Sequence, residues 1–193
     1  MFISVIPEAE ATGALADWYA SERKAWGFLP DYAGCFTTRP DVAAAWSALA
    51  STVRSGMDRR RYELATLGAA RALRSTYCTV AHASFLRDVC GDQATVEAIA
   101  RHPEALTEVD AAVLAFAAKV AVDAASVQQD DVDALRALGL TDADVADVVM
   151  AAAARAFFTR VLDGLGAQLD PQTAAGFAPE ILAPLVVGRP VGS

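Results

Sequence analysis

Apolar side chains recur every three or four residues along most of the chain, and prolines and glycines separate the segments that show this spacing. This period is typical of amphipathic α-helices, and no segment shows a convincing alternation of apolar and polar residues as expected for a strand. Alanine, leucine and arginine, which favour helices, are frequent in the periodic segments. The pattern therefore predicts an all-α fold.

Four helices are predicted in the N-terminal half. The first covers about residues 7–24, the third covers about residues 59–73, and the fourth begins near Ser75. Asp58 is a suitable N-cap for the third helix because its carboxylate can accept a hydrogen bond from a first-turn N–H.

The second predicted helix, Asp41–Thr52, shows the clearest apolar stripe. Spacings of three and four place four apolar residues on one side of it: Val42, Ala45, Trp46 and Leu49. We expect this stripe to face the core, and Ser55-Gly56 to end the helix.

Five more periodic segments follow, at about residues 92–101, 108–124, 130–138, 142–165 and 178–187. Each begins beside an acidic or hydroxyl residue that can cap a helix, most clearly at Thr107 and Thr141. The length suits one well-buried domain, so residues 1–187 are predicted to form a single domain. Residues 188–193 are rich in glycine and proline and are predicted to form a flexible tail.

Composition and charge narrow the possible functions. With 54% hydrophobic and 21% charged residues, the chain can form a core, and intrinsic disorder is not expected. The net charge of −8 and the pI near 4.7 oppose binding to phosphate backbones and anionic lipid. Neither a nucleic acid nor a membrane is therefore predicted as a partner.

The chain is expected to be cytoplasmic. Residues 1–7 lack the charged region of an export signal, and the apolar runs 111–122 and 148–154 fall short of the roughly 20 residues that a membrane span needs. Three irregularly spaced cysteines fit a reducing compartment better than a disulfide framework: Cys35, Cys78 and Cys90.

One short segment combines a thiol with an imidazole. If Ser75 caps the fourth helix, Cys78 lies in its first turn, where the positive end of the helix dipole favours a thiolate. Ser75, Cys78 and His82 lie within an arc of about 60° on the helix surface. The Cβ atoms of Cys78 and His82 should lie about 5–6 Å apart, so the histidine can act as the base of the thiol, directly or through one water.

A buried structural cysteine is the alternative interpretation of this segment, because free cysteine is among the most buried residue types. No metal site is predicted, since Cys78 and His82 supply only two of the four ligands that zinc needs and no CxxC pair or second histidine lies nearby. No cofactor is predicted either. His102, which precedes Pro103, is interpreted as a surface residue.

Glu63 on the preceding helix is a third candidate. Apolar residues surround it in the sequence, and a carboxylate is rarely buried without a partner. In a helical hairpin Glu63 and His82 would differ in height by about two turns, so contact requires a tilt or a break in one helix. The alternative is a partly exposed Glu63 paired with Arg59, Arg60 or Arg71.

The spacing of these candidates resembles a known signature. Glu63, eleven residues, Ser75-Thr76-Tyr77-Cys78, three residues and His82 are similar to the pattern E-x11-C-x-x-C-x-x-x-H of the alkylhydroperoxidase D-like (AhpD-like) superfamily, also called the carboxymuconolactone decarboxylase-like family. Segments 57–67 and 139–142 also resemble its peroxidase-related branch. The resemblance implies an AhpD-like helical bundle that assembles into homotrimers or hexamers.

The resemblance also implies roles for the signature residues. In its peroxidase members the second cysteine attacks the peroxide, the first cysteine resolves the product as a disulfide, and the glutamate and histidine relay the proton. The matching residues here are Cys78 as nucleophile and Glu63 with His82 as relay. Ser75 stands in the position of the resolving cysteine, where its hydroxyl can cap the helix and donate a hydrogen bond to a thiolate or substrate.

A replacement for the resolving cysteine is not evident. Cys90 lies about 18 Å from Cys78 along a continuous helix, too far for a disulfide. Cys35 lies in a predicted loop, and its participation stays open. Without a resolving thiol, a sulfenate at Cys78 must be reduced by an external thiol.

These features predict a thiol-dependent, hydroperoxidase-like antioxidant protein with a small-molecule substrate. One alternative is acid–base decarboxylation of a carboxylated lactone by Glu63 and His82. An arginine cluster could then bind the substrate carboxylates, or it could form solvated helix faces and salt bridges: Arg59, Arg60, Arg61, Arg71 and Arg74. Another is a redox sensor or oligomeric scaffold in which Cys78 is oxidised without turnover.

Overall fold

The computed structural model describes residues 1–192 and confirms the all-α class. Ser193, the last residue of the predicted tail, lies outside the described residues. The described chain forms ten α-helices: α1 Gly13–Trp26, α2 Pro40–Gly56, α3 Arg59–Ala72, α4 Thr76–Asp88, α5 Gln93–Arg101, α6 Glu108–Asp123, α7 Gln129–Ala137, α8 Asp142–Leu165, α9 Pro171–Ala174 and α10 Pro179–Leu185. Pairing of extended backbone within residues 1–192 is limited to one isolated bridge between Leu169 and Val191.

The predicted caps of three helices are confirmed. Asp58 Oδ1 accepts a hydrogen bond from the Arg61 N–H at 2.8 Å and begins α3. The Thr107 hydroxyl caps α6 in the same way, and Thr141 and Asp144 form a reciprocal capping box at α8. These side chains satisfy first-turn N–H groups and so fix where the helices begin.

The first predicted helix is wrong at its start. Residues Glu8–Glu10 form a short 3-10 segment, and α1 begins only at Gly13. Gly13 has a φ of +54°, a left-handed conformation that interrupts a right-handed helix. Glycine tolerates this conformation, so the break lies where the sequence had suggested continuity.

The predicted stripe on α2 is wrong at two of its four residues, since Val42 is half-buried against the core. Trp46 is buried, but Leu49 is 51% exposed and Ala45 is exposed. The buried face of α2 carries Ala43 and Trp46, again spaced by three residues, and turns toward α8. The large apolar side chain of Leu49 suggested a core position in the sequence. The packing of Trp46 instead sets which face of α2 is buried.

Helix α3 lies at the centre of the molecule and packs against α4, α6 and α8. Its residues 62–70 are all buried. Gly68 permits the close approach of α6, because a Cβ atom there would lie 2.6 Å from the carbonyl oxygen of Leu114. Two polar residues within this buried stretch, Glu63 and Thr66, therefore need partners inside the protein.

The segment predicted as a tail contacts the rest of the protein at several points. The Gly188 N–H donates to Thr76 Oγ1 at 2.9 Å, and the Gly192 N–H donates to the Leu169 carbonyl at 2.8 Å. The Arg189 guanidinium lies 4.8 Å from the centre of the Phe2 ring. Backbone hydrogen bonds that local sequence does not encode thus attach residues 188–192 to the bundle.

None of the helices formed by residues 1–192 is long and apolar enough to cross a membrane.

Candidate active site

The hairpin of α3 and α4 brings Glu63 and His82 into contact. Arg74, between the two helices, has a φ of +59°, and the chain reverses direction around it. His82 Nδ1 lies 2.5 Å from Glu63 Oε2. Glu63 and His82 are therefore in contact, which their different heights along the helical hairpin had left undecided.

The carboxylate of Glu63 contacts two side chains, those of His82 and Arg59. It is fully buried, and its other oxygen, Oε1, accepts a hydrogen bond from Arg59 Nε at 2.5 Å. Burial alone would raise the pKa of Glu63, but His82 and Arg59 bring it below its usual value. The buried carboxyl is thus ionised at neutral pH. It pairs with Arg59, as the alternative interpretation expected, but it is fully buried and not partly exposed.

His82 is a neutral imidazole with a defined tautomer. Burial lowers its pKa to about 4; the charge of Arg155 acts in the same direction, and Glu63 opposes it. Thr66 Oγ1 also lies 3.0 Å from Nδ1, and the Thr66 hydroxyl already has the backbone carbonyl of Tyr62 as an acceptor. Nδ1 therefore carries the hydrogen and donates it to Glu63, which leaves a free lone pair on Nε2.

The sulfur of Cys78 faces a buried guanidinium. Cys78 is 2% exposed, and its Sγ lies 3.7 Å from Nη1 of Arg155. Arg155 is itself buried, with its guanidinium 5.4 Å from the centre of the Trp46 ring and 5.3 Å from that of Phe158. A guanidinium in this position stabilises negative charge on sulfur.

A cavity of about 370 Å³ joins these groups, and both Cys78 and His82 line it. No hydrogen bond links the two side chains directly within the described part of the chain, so a water or a substrate must carry a proton between them. Aromatic rings form much of the wall: Trp18, Trp26, Tyr32, Trp46, Phe85 and Phe158. The volume is at the small end of the roughly 300–1,000 Å³ typical of ligand pockets.

Several solved structures share this fold. An uncharacterized peroxidase-related protein from Ralstonia eutropha JMP134, described as an alkylhydroperoxidase AhpD core, is 22% identical over 97% of each chain, with a TM-score of 0.76. An uncharacterized peroxidase-related protein from Silicibacter sp. TM1040 is 18% identical over 90% of this chain and 91% of its own, with a TM-score of 0.71. The debrominase Bmp8 in complex with 2,3,4-tribromopyrrole is 16% identical over 96% of this chain and 97% of its own, with a TM-score of 0.74.

Sequence comparison finds a family match for one segment of the chain. Residues 40–123, which include α3 and α4, match the model of the carboxymuconolactone decarboxylase family. This match covers less than half of the chain, and the solved structures show that the fold is shared. None of the curated proteins compared with the chain matches significantly.

The sequence prediction missed Arg155 as a component of this site. The available signal was a single charged residue within the otherwise apolar run 151–158 of α8. A fully buried arginine is rare without a partner, so its position predicted an anionic or polar group nearby. Its partner in the fold is the Cys78 sulfur, which lies 77 positions away in the sequence.

Ser75, at the position of the first signature cysteine, lies apart from the cavity. It precedes α4 as predicted, but its hydroxyl forms no capping hydrogen bond and does not line the cavity. The side chain is fully buried near Asp163, whose pKa is raised by burial and lowered to a lesser extent by Ser75. Even so, Ser75 Oγ makes no hydrogen bond of normal geometry within residues 1–192.

The other two cysteines lie outside the cavity. Cys35 is buried in the 3-10 segment Asp31–Phe36 beside the sulfur of Met1, and burial raises its pKa to about 12. Cys90 follows the end of α4, and burial raises its pKa too. All three cysteines are free thiols, and neither of these two faces Cys78 across the cavity.

The arginine cluster does not form a common carboxylate pocket. Of its five members, Arg59 lines the cavity. The other four have partners elsewhere in the chain: Arg60 with Asp92 and Asp110, Arg61 with Asp144, Arg71 with the Pro184 carbonyl and Arg74 with the Val187 carbonyl. Contacts within the subunit thus account for most of the cluster.

Acidification is expected to destabilise the protein through His82. Its pKa of about 4 in the folded state lies below the ordinary 6.5, so the unfolded chain binds the proton first. Stability is then lost as the pH falls from 6.5 to 4, by about 1.4 kcal/mol per pH unit. Glu63, with a lowered pKa, acts in the same direction below about pH 4.5, whereas Glu22, Asp163 and Asp170, with raised values, act in the opposite direction.

Urea unfolding of the wild type and His82→Gln between pH 4 and 7 isolates this effect. The variant should show a smaller loss of unfolding free energy between pH 6.5 and 4.5. His102→Gln, which changes the exposed histidine, should retain the wild-type slope. Equal slopes in all three proteins would show that His82 is not held neutral by the fold.

Proposed function

We propose that this chain is a single-cysteine thiol hydroperoxidase with an antioxidant role. The observation that supports it most strongly is that Cys78, a Glu63–His82 pair and the buried Arg155 converge on one small cavity. The pair supplies a base, the guanidinium stabilises a thiolate, and aromatic rings make much of the cavity wall apolar.

The proposed reaction uses each group once. His82 Nε2 accepts the thiol proton through a bound water, and Arg155 stabilises the thiolate that remains. The thiolate attacks the terminal oxygen of a hydroperoxide, the O–O bond breaks and Cys78 becomes a sulfenic acid, and the leaving alkoxide takes up one proton to become an alcohol. Glu63 stabilises the imidazolium that forms.

An external thiol is proposed to complete the cycle. Its first equivalent displaces water from the sulfenic acid and forms a mixed disulfide, and a second equivalent releases the reduced Cys78. Ser75 cannot form a disulfide, and Cys35 and Cys90 lie outside the cavity. We also propose assembly into a trimer or hexamer, which is supported by large exposed apolar side chains on α2 and α8: Leu49, Met150 and Phe157.

A peroxide-consumption assay tests this function. With dithiothreitol in excess, the protein should consume many equivalents of tert-butyl hydroperoxide per chain, and without dithiothreitol it should consume about one. A Cys35→Ala, Cys90→Ala variant should behave in the same way, because neither thiol takes part. Consumption of only one equivalent with dithiothreitol present would instead indicate a sensor, and consumption of none would contradict thiol chemistry altogether.

Reductive dehalogenation of a small aromatic compound is a second candidate. The cavity combines one thiol with walls of aromatic rings, and the fold is similar to that of the debrominase Bmp8. Replacing one bromine by hydrogen would consume two external thiols and release one disulfide and one hydrogen bromide. Bromide release from 2,3,4-tribromopyrrole, measured beside the peroxide assay, distinguishes the two activities.

A further inference from the structure

Glu22 on α1 is a buried carboxyl that the proposed reaction leaves unused. It is 8% exposed and lines the same cavity as Cys78. Its Oε2 accepts a hydrogen bond from the Tyr32 hydroxyl, which in turn accepts one from Trp26 Nε1 at 3.1 Å. The second oxygen, Oε1, makes no hydrogen bond to any residue that the structure describes.

This network determines where Glu22 carries a proton. The hydrogen of Tyr32 is directed at Oε2, so that oxygen is an acceptor. When the carboxyl is protonated, the hydrogen therefore resides on Oε1, the oxygen without a protein partner. Glu22 thus has one O–H group available to a molecule in the cavity.

The pKa values of the two glutamates of this cavity are shifted in opposite directions. Burial raises the pKa of Glu22, and the Tyr32 hydrogen bond only partly opposes that shift. The pKa of Glu63 is instead lowered, because His82 and Arg59 outweigh its burial. Two carboxyls with opposite shifts in one site are the arrangement in which one acts as an acid while the other stays ionised.

We propose that Glu22 is the general acid of this cavity and protonates the oxygen that leaves when Cys78 breaks the O–O bond. This inference rests on the proposed hydroperoxidase function. The Cys78 thiolate forms a bond to the terminal O–H oxygen of the hydroperoxide, and the leaving alkoxide takes the proton from Glu22 Oε1. The products are the sulfenic acid, an alcohol, the Glu22 carboxylate and the His82 imidazolium, and proton transfer through solvent from His82 to Glu22 restores both.

A purely structural Glu22 is the alternative. In that role it would serve only to accept the Tyr32 hydrogen bond and so position the aromatic wall. Glu22→Gln retains an oxygen that can accept this bond but loses the acidic proton, so it separates the two roles. Glu10→Gln, at an exposed position outside the cavity, is the matched control.

Two oxidants that differ in leaving group test the proposal. Tert-butyl hydroperoxide expels tert-butoxide, a strong base that needs a proton as it leaves, whereas peracetic acid expels acetate, which does not. Single-turnover oxidation of Cys78 is measured in the Cys35→Ala, Cys90→Ala background. We expect Glu22→Gln to slow the reaction with tert-butyl hydroperoxide by about 100-fold, since general acids typically contribute factors of about 10² to 10⁴. Its rate with peracetic acid should stay within about twofold of the parent rate.

The outcomes separate this proposal from the proposed function. If the parent protein oxidises Cys78 with neither oxidant, both fail. If it reacts with tert-butyl hydroperoxide but Glu22→Gln slows both oxidants equally, or neither, the hydroperoxidase function stands and the role of Glu22 as the acid is overturned. Glu22→Asp provides a second variant should Glu22→Gln fold poorly. It keeps an acidic proton but holds it on a shorter side chain, so it should slow the reaction with tert-butyl hydroperoxide more than the reaction with peracetic acid. An equal loss of rate with both oxidants would overturn the proposal.

Discussion

Cys78→Ser is expected to reduce hydroperoxide consumption to the uncatalysed rate. The hydroxyl of serine is far less acidic than a thiol and does not form a stable equivalent of a sulfenic acid, so neither the attack nor the reduction by an external thiol can proceed. Serine differs from cysteine by a single atom, so the buried position on α4 should accommodate it without unfolding. Peroxide consumption with excess dithiothreitol, together with circular dichroism, checks both expectations.

Cys90→Ser is the matched control for this substitution. Cys90 is also a free thiol, but it lies beyond the end of α4 and outside the cavity, so its replacement should leave peroxide turnover unchanged. An enzyme that decarboxylates a lactone would behave differently, because its proton transfers do not involve sulfur and it would tolerate Cys78→Ser. Retention of peroxide turnover in Cys78→Ser would contradict the thiol mechanism.

Local signals in the sequence predicted most of the helices. Caps such as Asp58, Thr107 and Thr141 act within a few residues of their own position, so their effect can be inferred without knowledge of the fold. The errors arose where tertiary contacts decide. The exposed Leu49 and the attachment of Gly188 to Thr76 depend on which elements pack together, and a local pattern does not contain that information.

The same distinction applies to the candidate site. The spacing of Glu63, Cys78 and His82 was visible in the sequence because α3 and α4 are adjacent and joined by a short turn. Arg155 and Glu22 come from α8 and α1, which reach the cavity only after the bundle has assembled. Arg155 was still detectable in principle as the single charged residue of the apolar run 151–158, whereas Glu22 lies in the polar stretch 21–24 and gives no such signal.

The aromatic wall explains why the pKa values of two carboxyls can shift in opposite directions within one cavity. Arg155 lies beside the stacked rings of Trp46 and Phe158, while the Tyr32 hydroxyl, beside Trp26, donates to Glu22. In such low-polarity surroundings each ionisable group depends strongly on its own few partners, because water does not screen them. Glu63 is therefore ionised by its contacts with His82 and Arg59, and Glu22, which lacks a cationic partner in the described hydrogen-bond network, is driven toward its protonated form.

His82→Gln is expected to slow oxidation of Cys78 by about 10² to 10⁴-fold at neutral pH, the range typical for loss of a general base. Glutamine can donate a hydrogen bond to Glu63 but has no basic nitrogen to accept the thiol proton. The deficit should shrink as the pH rises, because solvent base then removes that proton. Single-turnover rates between pH 6 and 9 measure this dependence.

The choice of oxidant and the second histidine make this prediction specific. His82 acts on the sulfur before any leaving group is formed, so His82→Gln should slow tert-butyl hydroperoxide and peracetic acid by similar factors, unlike Glu22→Gln. His102→Gln, at the exposed end of α5, should match the wild type at every pH. A His82→Gln deficit that persists unchanged to pH 9 would mean that the imidazole positions neighbouring groups and does not remove the thiol proton. His82→Gln and Glu22→Gln act on opposite ends of the reacting S–O–O unit. If the base and the acid act independently, a variant with both substitutions should react with tert-butyl hydroperoxide more slowly by the product of the two separate factors.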